Sequence, residues 1–420
     1  MKKYDVIVVG GGLAGCGAAL SAARNGSSVL LVERINALGG APCTQAINPF
    51  MANATRMPDS GEVVELSQGI LLELIGELKA ANAVHPVYTN VFNPEYLKII
   101  LNKKMKEAGV ELLFNSYLVS AKREGNKVTS ITVVNKSGLM ELEADYFIDT
   151  TGDADLTVDA GFPTRLGRPG DNLCQPMTLC FAIGGVDQEK FNAVSHTIVA
   201  RWNEEKKKGY IKNPMDGIMI FHSCFPGIVN LNATRIVKRN PVDAFDVTAA
   251  DIEAREQMVE LHDFLKNHIE GFENSMILSS AIQTGVRESR MIDGEHVLTS
   301  EELVACTVFE DAIAAGNYDI DIHNPEGSGT SHYFFPQGQY YTIPYRSLIP
   351  KDAENLLVAG RCISTTHEAQ ASIRILRIVC ALGEAAGTAA ALAVKCGCPV
   401  KNVDISALQS QLKKQGAFIG

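Results

Sequence analysis

A glycine-rich turn between two apolar runs is the feature that most constrains this chain. Residues 4–9 are rich in β-branched side chains and predict a buried strand that ends at Gly10. The pattern Gly10-x-Gly12-x-x-Gly15 follows, then a helix of small residues from about Ala14 to Arg24, and then a second buried strand over 28–32 that ends at Glu33. This order of strand, glycines, helix, strand and acidic residue predicts a βαβ unit that binds a dinucleotide.

Each part of this unit has a physical role. Gly10 allows the tight turn, Gly12 lets the backbone approach a pyrophosphate, and Gly15 lets the helix pack closely on the strand. The first turn of the helix, at Leu13 and Ala14, offers free N–H groups and a partial positive charge to the phosphates. Glu33 is the expected acceptor for the ribose hydroxyls of an adenosine. The alternative is a tight turn that binds no ligand, and the full context of the motif argues against it.

The composition is that of a globular enzyme with room for more than one domain. The chain has 420 residues, of which 46% are hydrophobic and 20% are charged. Its formal net charge of −10 argues against nucleic acid or an anionic membrane as the main partner. The ten cysteines are scattered through a chain without a signal-peptide pattern, so we expect reduced thiols and a cytoplasmic location.

The longest apolar stretch, over 373–393, raises the question of a membrane span. Arg374, Arg377 and Glu384 interrupt it, and Gly383 and Gly387 suit close packing between helices. We therefore expect a buried core helix and no membrane partner.

Hydrophobic periodicity predicts an α/β fold with two kinds of architecture. Three short strands over 117–123, 128–135 and 139–144 predict an antiparallel β-meander inserted in a parallel sheet, to which 146–149 returns. Residues 156–345 lack a strand–helix alternation and predict an α+β region that binds a substrate. The periodicity predicts helices over 62–81, 96–108, 188–208, 248–268, 299–315 and 372–396.

Three stretches together resemble the FAD-dependent oxidoreductases of the glutathione-reductase-like superfamily. They are 10–33, Ile148–Asp155 (IDTTGDAD) and Leu356–Leu382 (LLVAGRCISTTHEAQASIRILRIVCAL), and 284–295 and 341–350 carry further similarity. The resemblance implies a Rossmann-like FAD-binding domain made of residues 1–155 and 350–420, with a substrate-binding or cap domain over 156–349 inserted in it. FAD is expected to be bound non-covalently, since no histidine that could attach it lies between residues 1 and 84.

The resemblance also implies which positions contact FAD. The ADP half is assigned to Gly10, Gly12, Leu13, Ala14, Gly15, Glu33 and Arg34, with the backbone of Val119 at the adenine. The pyrophosphate, the cofactor channel and the flavin are assigned to Gly39, Gly40, Ala41, Thr151, Gly152, Asp153, Gly360, Arg361, Ser372, Ile373 and Arg374. A helix that begins at Ser372 would direct free N–H groups at the negative charge of a reduced flavin, and Arg374 would add a cation. A salt bridge between helices is the alternative role for Arg374.

Three side chains are candidates for the chemistry. His367 precedes the long C-terminal helix and is a candidate acid–base group, with a helix cap as the alternative. Arg287 is a candidate ligand for a substrate carboxylate, and a structural salt bridge is the alternative. Cys43 follows the double glycine, but Asn48 stands where a disulfide reductase would have its second cysteine, so we expect no dithiol chemistry.

The leading hypothesis is a soluble enzyme that transfers a hydride between a small organic substrate and FAD. One alternative is a fumarate-reductase-like ene-reductase of a carboxylate, and another is a non-catalytic FAD-binding partner protein. NAD in place of FAD is a third possibility, against which the C-terminal stretch argues. We expect no metal site, because the pairs Cys396/Cys398 and His222/Cys224 lack further ligands. The sequence is also compatible with a homo-oligomer.

Overall fold

The predicted βαβ unit is present at the start of the structure, a computed structural model that describes residues 3–420. It consists of β1 (Lys3–Val9), α1 (Leu13–Arg24) and β2 (Val29–Val32). Strands β1 and β2 pair in parallel, with Val6 opposite Val29 and Val9 opposite Val32. Strand β2 is completely buried, and so is β1 from Val6 to Val9, as expected for strands covered on both faces.

The next segment contains a short antiparallel hairpin that replaces the first part of a predicted helix. In chain order the elements are α2 (Ala41–Thr44), β3 (Ala54–Arg56), β4 (Val63–Glu65), α3 (Ile70–Ala80), α4 (Pro94–Glu107) and β5 (Glu111–Leu113). The helix predicted over 62–81 begins only at Ile70, because Val63–Glu65 pairs with Ala54–Arg56. Strand β5 pairs in parallel with β2 and extends the sheet.

The β-meander is confirmed, and its last strand joins it to the parallel sheet. The strands are β6 (Tyr117–Glu124), β7 (Lys127–Asn135) and β8 (Gly138–Asp149). One edge of β8 pairs in parallel with β1. The other edge pairs first with β7 and then, in parallel, with Leu356–Val358 near the end of the chain. The resulting seven-stranded sheet confirms the expected α/β fold with a mainly parallel core.

The middle segment is built around a four-stranded antiparallel sheet, in the order β11 (Ile220–His222), β12 (Ile228–Leu231), β10 (Phe181–Gly184) and β13 (Met276–Ser280). Its elements are α5 (Asp155–Asp159), β9 (Thr164–Leu166), β10 (Phe181–Gly184), α6 (Gln188–Val194), α7 (Ile198–Lys207), β11 (Ile220–His222), β12 (Ile228–Leu231), α8 (Ala244–His268), β13 (Met276–Ser280), β14 (Arg290–Ile292), α9 (Ser300–Val304), β15 (Ala312–Gly316), β16 (Ile320–His323), β17 (Thr330–Tyr333) and β18 (Tyr341–Pro344). Trp202 of α7 and Phe264 of α8 pack edge to face in the core beside this sheet.

The helix predicted over 299–315 is wrong for most of its length. Only Ser300–Val304 is helical, and Ala312–Gly316 forms a strand that pairs with Tyr341–Pro344. This pair of strands packs in the same hydrophobic core as α1 and the C-terminal helices. The end of the middle segment therefore shares its core with the βαβ unit and the C-terminal helices.

The C-terminal segment completes the sheet and covers α1. It contains β19 (Leu356–Val358), α10 (His367–Ile373), α11 (Leu376–Cys396) and α12 (Ile405–Lys414). Three short 3₁₀ helices complete the secondary structure, at Ser195–Thr197, Tyr345–Leu348 and Val400–Asn402. The prediction of one helix from Ser372 is wrong, because the backbone is extended at Ile375 and a new helix begins at Leu376.

Helices α1 and α11 are in backbone contact through glycines. A Cβ atom at Gly383 would lie 1.9 Å from the carbonyl oxygen of Ala14, and one at Gly387 would lie 2.1 Å from that of Ala18. Any side chain at these two positions would separate the helices. Helix α11 is long and apolar enough to cross a membrane by length and composition, yet 83% of its apolar window is buried inside the protein, as expected for a core helix.

The expectation that all ten cysteines are reduced is wrong for one pair. Cys396 and Cys398 form a disulfide at the end of α11, where only one residue separates them. The other eight cysteines are free, and six of them are buried.

Candidate cofactor and substrate site

A cavity of about 1320 Å³ collects most of the predicted site residues. Pockets for small molecules usually measure roughly 300–1,000 Å³, so this cavity has room for a dinucleotide and a second molecule. Two groups of residues line it. The glycine wall comprises Gly10, Gly12, Gly39, Gly40, Gly152 and Gly360, and the polar wall comprises Asn232, Arg235, Arg287, Asp319, Asp321, His323, His332 and Arg374.

The glycine wall brings two loops into backbone contact. Gly12 and Gly39 form an isolated parallel bridge, and a Cβ at Gly40 would lie 2.7 Å from the Cα of Gly12. Gly40 has φ +62°, in the left-handed region that favours glycine. A Cβ at Gly12, in contrast, would meet nothing closer than 3.9 Å. The space in front of Gly12 is therefore free for a ligand.

The first turn of α1 faces the cavity without a side-chain cap. Gly12 is its N-cap residue, the turn contains no acidic residue, and Leu13 and Ala14 line the cavity. The uncapped N–H groups suit the pyrophosphate of a dinucleotide. At the end of β2, Glu33 accepts hydrogen bonds from the backbone N–H groups of Gly11 at 2.5 Å and Ile35 at 2.9 Å. Burial raises the pKa of Glu33, and these two hydrogen bonds oppose that effect.

A second uncapped helix end also lines the cavity. Ile375 is the N-cap of α11, the first turn contains no acidic residue, and Ile375 and Leu376 belong to the lining. Nearby, an Nη atom of Arg361 lies 2.6 Å from a carboxylate oxygen of Asp153. Gly152 has φ +84°, and a Cβ there would lie 2.5 Å from this guanidinium. The residues present thus fit FAD, with the first turn of α1 suited to its pyrophosphate and the first turn of α11 suited to its flavin.

Most predicted site residues line the cavity. These are Gly10, Gly12, Leu13, Ala14, Glu33, Arg34, Gly39, Gly40, Ala41, Val119, Thr151, Gly152, Asp153, Arg287, Gly360, Arg361 and Arg374. Gly15 lies behind the wall, where a Cβ would be 1.8 Å from the carbonyl oxygen of Gly10, in keeping with a packing role. Ser372 and Ile373 lie outside the lining: Ile373 is fully buried, and the Ser372 hydroxyl donates to the carbonyl of Tyr318 at 2.5 Å.

His367 is not where the sequence suggested. It is the first residue of α10, is 5% exposed and lies outside the cavity lining. Its Nδ1 lies 2.7 Å from an oxygen of Glu288, which is fully buried. Burial alone would lower the pKa of the imidazole, but the hydrogen bond and the charge of Glu288 raise it above its ordinary value. The structure makes His367 the partner of a buried carboxylate.

Cys43 also lies outside the lining. Its thiol faces the backbone carbonyl of Pro94 at 3.8 Å, and burial raises its pKa to about 12. A thiol with such a pKa is almost entirely protonated at neutral pH and is a poor nucleophile. Asn48 binds the backbone of Phe92 through both ends of its amide.

The structure adds an Asp–His pair that the sequence analysis did not single out. Nδ1 of His332 lies 2.5 Å from an oxygen of Asp319, and both residues line the cavity. The imidazole stacks on Phe334 with 4° between the ring planes. A carboxylate at Nδ1 fixes the tautomer and leaves Nε2 for another partner. The alternation of Asp319, Asp321 and His323 along one strand face was the available signal in the sequence.

Asp321 joins this pair to the arginines of the polar wall. One of its oxygens lies 3.3 Å from Nε2 of His323 and 3.4 Å from an Nη of Arg374. Burial opposes ionisation of Asp321, but the His323 contact and the charges of Arg374 and Arg287 hold its pKa well below the usual range. Burial also lowers the pKa of His323 to about 3, so this ring is neutral. The ligand atoms of Asp319, Asp321 and His332 lie within 4.8 Å of one another, and the second carboxylate oxygen of Asp321 has no hydrogen-bond partner among the described residues.

Sequence comparison identifies the family to which this architecture belongs. Residues 5–412 match the family described as FAD dependent oxidoreductase. The chain belongs to this family. FAD is therefore its cofactor, as the resemblance implied, while the wider glutathione-reductase-like grouping stays a prediction.

Curated relatives match shorter parts of this family member. Protein FixC of Azotobacter vinelandii is 30% identical over 175 residues, which are 38% of this chain and 40% of that protein. Digeranylgeranylglycerophospholipid reductase 2 of Methanothermobacter thermautotrophicus is 28% identical over 198 residues, 44% of this chain and 48% of that protein. The chain thus spans less than half the length of these two relatives. Among solved structures, a geranylgeranyl bacteriochlorophyll reductase-like protein from Thermoplasma acidophilum has 14% identity and a TM-score of 0.49, covering 99% of this chain and 83% of that one.

Proposed function

We propose that this protein is an enzyme that transfers a hydride between a small organic substrate and non-covalently bound FAD. One observation carries the proposal: a single cavity joins the glycine wall to a polar wall of charged side chains from the middle segment. FAD supplies the redox chemistry when it is bound. The chain supplies the binding site, the orientation of the two molecules and the proton transfer.

The cofactor would be held at the glycine wall. Gly12 and the first turn of α1 would bind the pyrophosphate, and Glu33 would accept hydrogen bonds from the ribose. The first turn of α11 would face the flavin in place of the predicted turn at Ser372. These elements belong to residues 1–155 and 350–420, which supports the division into an FAD-binding domain and an inserted substrate-binding domain over 156–349.

His332 would move the proton that accompanies hydride transfer. Its Nε2 is left for the substrate, because Asp319 engages Nδ1 at 2.5 Å. Asp319 would stabilise the imidazolium that forms when His332 accepts a proton, as a carboxylate does in a catalytic Asp–His pair. His332 thereby replaces His367 as the proposed acid–base group.

A cytoplasmic protein without nucleic-acid or membrane partners is the setting we propose. The net charge of −10 disfavours polyanionic partners, and eight of the ten cysteines are free thiols. A homo-oligomer is compatible with the exposed apolar side chains of α4 and of the meander, such as Ile99 and Leu139.

The test is the spectrum of the purified protein followed by anaerobic reduction. Bound FAD would give absorption bands near ~370 and ~450 nm, which are properties of the flavin itself. A substrate would bleach the longer-wavelength band without added nicotinamide cofactor. Colourless protein that cannot be reconstituted with FAD would contradict the proposal, and so would a flavin that no member of a broad panel of small organic compounds reduces or reoxidises.

A further inference from the structure

The most unusual charged group in the cavity is Arg287, a partly buried guanidinium without a carboxylate partner. Its Nη1 donates to the backbone carbonyl of Pro176 at 2.6 Å, and its Nη2 donates to the side-chain oxygen of Asn232 at 3.3 Å. Within residues 3–420 it forms no ion pair with any aspartate or glutamate. Charged side chains that lose part of their contact with water are normally paired, because the loss of hydration is unfavourable.

The electrostatic strain on Arg287 has an identifiable source. Burial is the main cause that lowers its pKa to about 10, and the positive charge of Arg374 lowers it further. Both arginines line the same cavity, and the backbone oxygen of Arg287 accepts a hydrogen bond from the side chain of Gln370, one helical turn before Arg374. An anion placed between them would relieve both the desolvation and the mutual repulsion.

Arg374 is only weakly satisfied within the chain. Its two hydrogen bonds, to the backbone and side-chain oxygens of Asp321, measure 3.3 and 3.4 Å, and its Nε has no partner. Asp321 carries a single negative charge, so it cannot neutralise Arg374 and Arg287 together. The third arginine of the wall differs, since Arg235 donates to the carbonyls of Gly327, Asn324 and Gly329.

Arg287 and Arg374 also lie where a substrate would meet the flavin. Arg374 directly precedes Ile375, the N-cap of α11, and both residues line the cavity. The polar wall also contains the Asp319–His332 pair. Asp319 directly precedes β16, and His332 of β17 lies opposite Asp321 of β16. A molecule held by the two arginines would thus be within the cavity that also contains the proposed acid–base group.

We propose that Arg287 and Arg374 form a carboxylate-binding subsite, so that the substrates of this enzyme are organic carboxylates. The guanidinium of Arg287 offers paired N–H groups that match the two oxygens of a carboxylate. This inference rests on the proposed function for its location beside the flavin, but it concerns a binding site that can be tested without turnover.

The test is a titration of the FAD-loaded protein with matched charged and uncharged probes. Benzoate and succinate are compared with benzamide and succinamide, and binding is followed through the change in the flavin absorption spectrum. We expect the carboxylates to perturb the spectrum with saturation and the amides to bind at least about tenfold more weakly, as for the loss of a charge-assisted hydrogen bond.

Variants locate the effect at the subsite. Arg287→Leu should weaken benzoate binding by at least about tenfold while the FAD content stays unchanged, and Arg287→Lys should restore part of it. The control is Arg201→Leu, which removes a guanidinium paired with Glu270 on the surface of the middle segment and should leave benzoate binding as in the wild type.

The outcomes separate this inference from the proposed function. Equal binding of amides and carboxylates, or unchanged benzoate binding in a folded, FAD-loaded Arg287→Leu protein, would overturn the carboxylate subsite. Sulfate binding without carboxylate binding would overturn the substrate class. Protein without FAD would instead contradict the proposed function, so benzoate binding to FAD-free protein would then be followed by the fluorescence of Trp202.

Discussion

Nδ1 of His367 lies 2.7 Å from a carboxylate oxygen of Glu288, and both side chains are almost completely buried. The remaining oxygen of Glu288 accepts a hydrogen bond from the backbone N–H of Gln175 at 2.8 Å. These contacts join α10 to two loops of the middle segment, at Gln175 and at Glu288. The pair therefore stabilises the fold, and we expect its removal to change stability.

The His367→Ala variant should have a lower free energy of unfolding than the wild type and a normal rate of flavin reduction. The buried carboxylate of Glu288 would lose its cationic partner, which costs about 3–5 kcal/mol in comparable cases. We expect that loss in the free energy of unfolding, measured by urea denaturation at pH 6, with a rate of flavin reduction per bound FAD within about threefold of the wild type, well short of an acid–base effect. The exposed His196 provides the control, since His196→Ala should change neither quantity.

The contribution of His367 should depend on pH with a definite sign. Its pKa in the folded protein is raised above the ordinary value of 6.5. The stabilisation is therefore fully present below pH 6.5 and is lost as the pH rises through the folded-state pKa. The difference in stability between wild type and His367→Ala should shrink between pH 6 and pH 9, and a constant difference would contradict the assignment.

The His332→Gln variant should keep its stability and lose most of its rate of flavin reduction. The variant should fold and bind FAD, because His332 is exposed and lies on the polar wall, but flavin reduction should slow by roughly 10²–10⁴-fold. Stopped-flow reduction per mole of FAD measures this. Asp319→Asn should also slow the reaction, since it no longer selects the tautomer of His332. A normal rate in both variants would exclude the Asp–His pair from the reaction.

Gly12→Val should fold without FAD. A Cβ at Gly12 has no protein atom within 3.9 Å, so the added side chain would occupy the space assigned to the pyrophosphate. The measurement is the ratio of FAD to protein after reconstitution, with circular dichroism to verify folding. Gly76→Val is the matched control, because Gly76 lies in α3 with open space around its Cβ position. Full FAD occupancy in Gly12→Val would place the phosphates elsewhere.

Glu384→Gln should remove a pH-dependent loss of stability. Glu384 is 2% exposed in α11, and burial raises its pKa from 4.5 to about 7, although the N–H of Ile70 and the amide of Gln415 hydrogen-bond to it. Its protonated form favours the folded state, so stability falls as the pH rises from about 4.5 to about 7. The loss is about 3 kcal/mol for a shift of this size. Urea denaturation at pH 5 and pH 8 should show a smaller decrease for the variant than for the wild type.

Local patterns predicted the parts of the fold that are local in origin. The unit from β1 to Glu33 is encoded within one stretch of strand, glycines and helix, and the meander follows from alternation and turn residues. The break at Ile375 carries no glycine or proline, so the composition of 372–396 predicts one helix. Ala312–Gly316 has the small residues of a helix, but its pairing with Tyr341–Pro344 makes it a strand.

The functional groups divide in the same way. The glycines that line the cavity have a fixed spacing and were predicted by position. The partners of His367 and Arg287 are set by tertiary contacts: Glu288 is 79 residues from His367, and Pro176 is 111 residues from Arg287. No pattern in the sequence indicates that His367 is buried while His332 is open to the cavity. Such contacts become visible only when the middle segment is placed against the nucleotide-binding sheet.

The backbone contact between α1 and α11 has a consequence for the order in which the protein is made. A ribosome releases β1 and α1 first, and the glycines of α11 that seat them emerge only near the end of synthesis. Until then the early segment lacks both its covering helix and β19, so its apolar face has no permanent neighbour. The proposed cofactor site is therefore complete only late in synthesis, and ribosome-bound intermediates that end before residue 376 should be clients of chaperones.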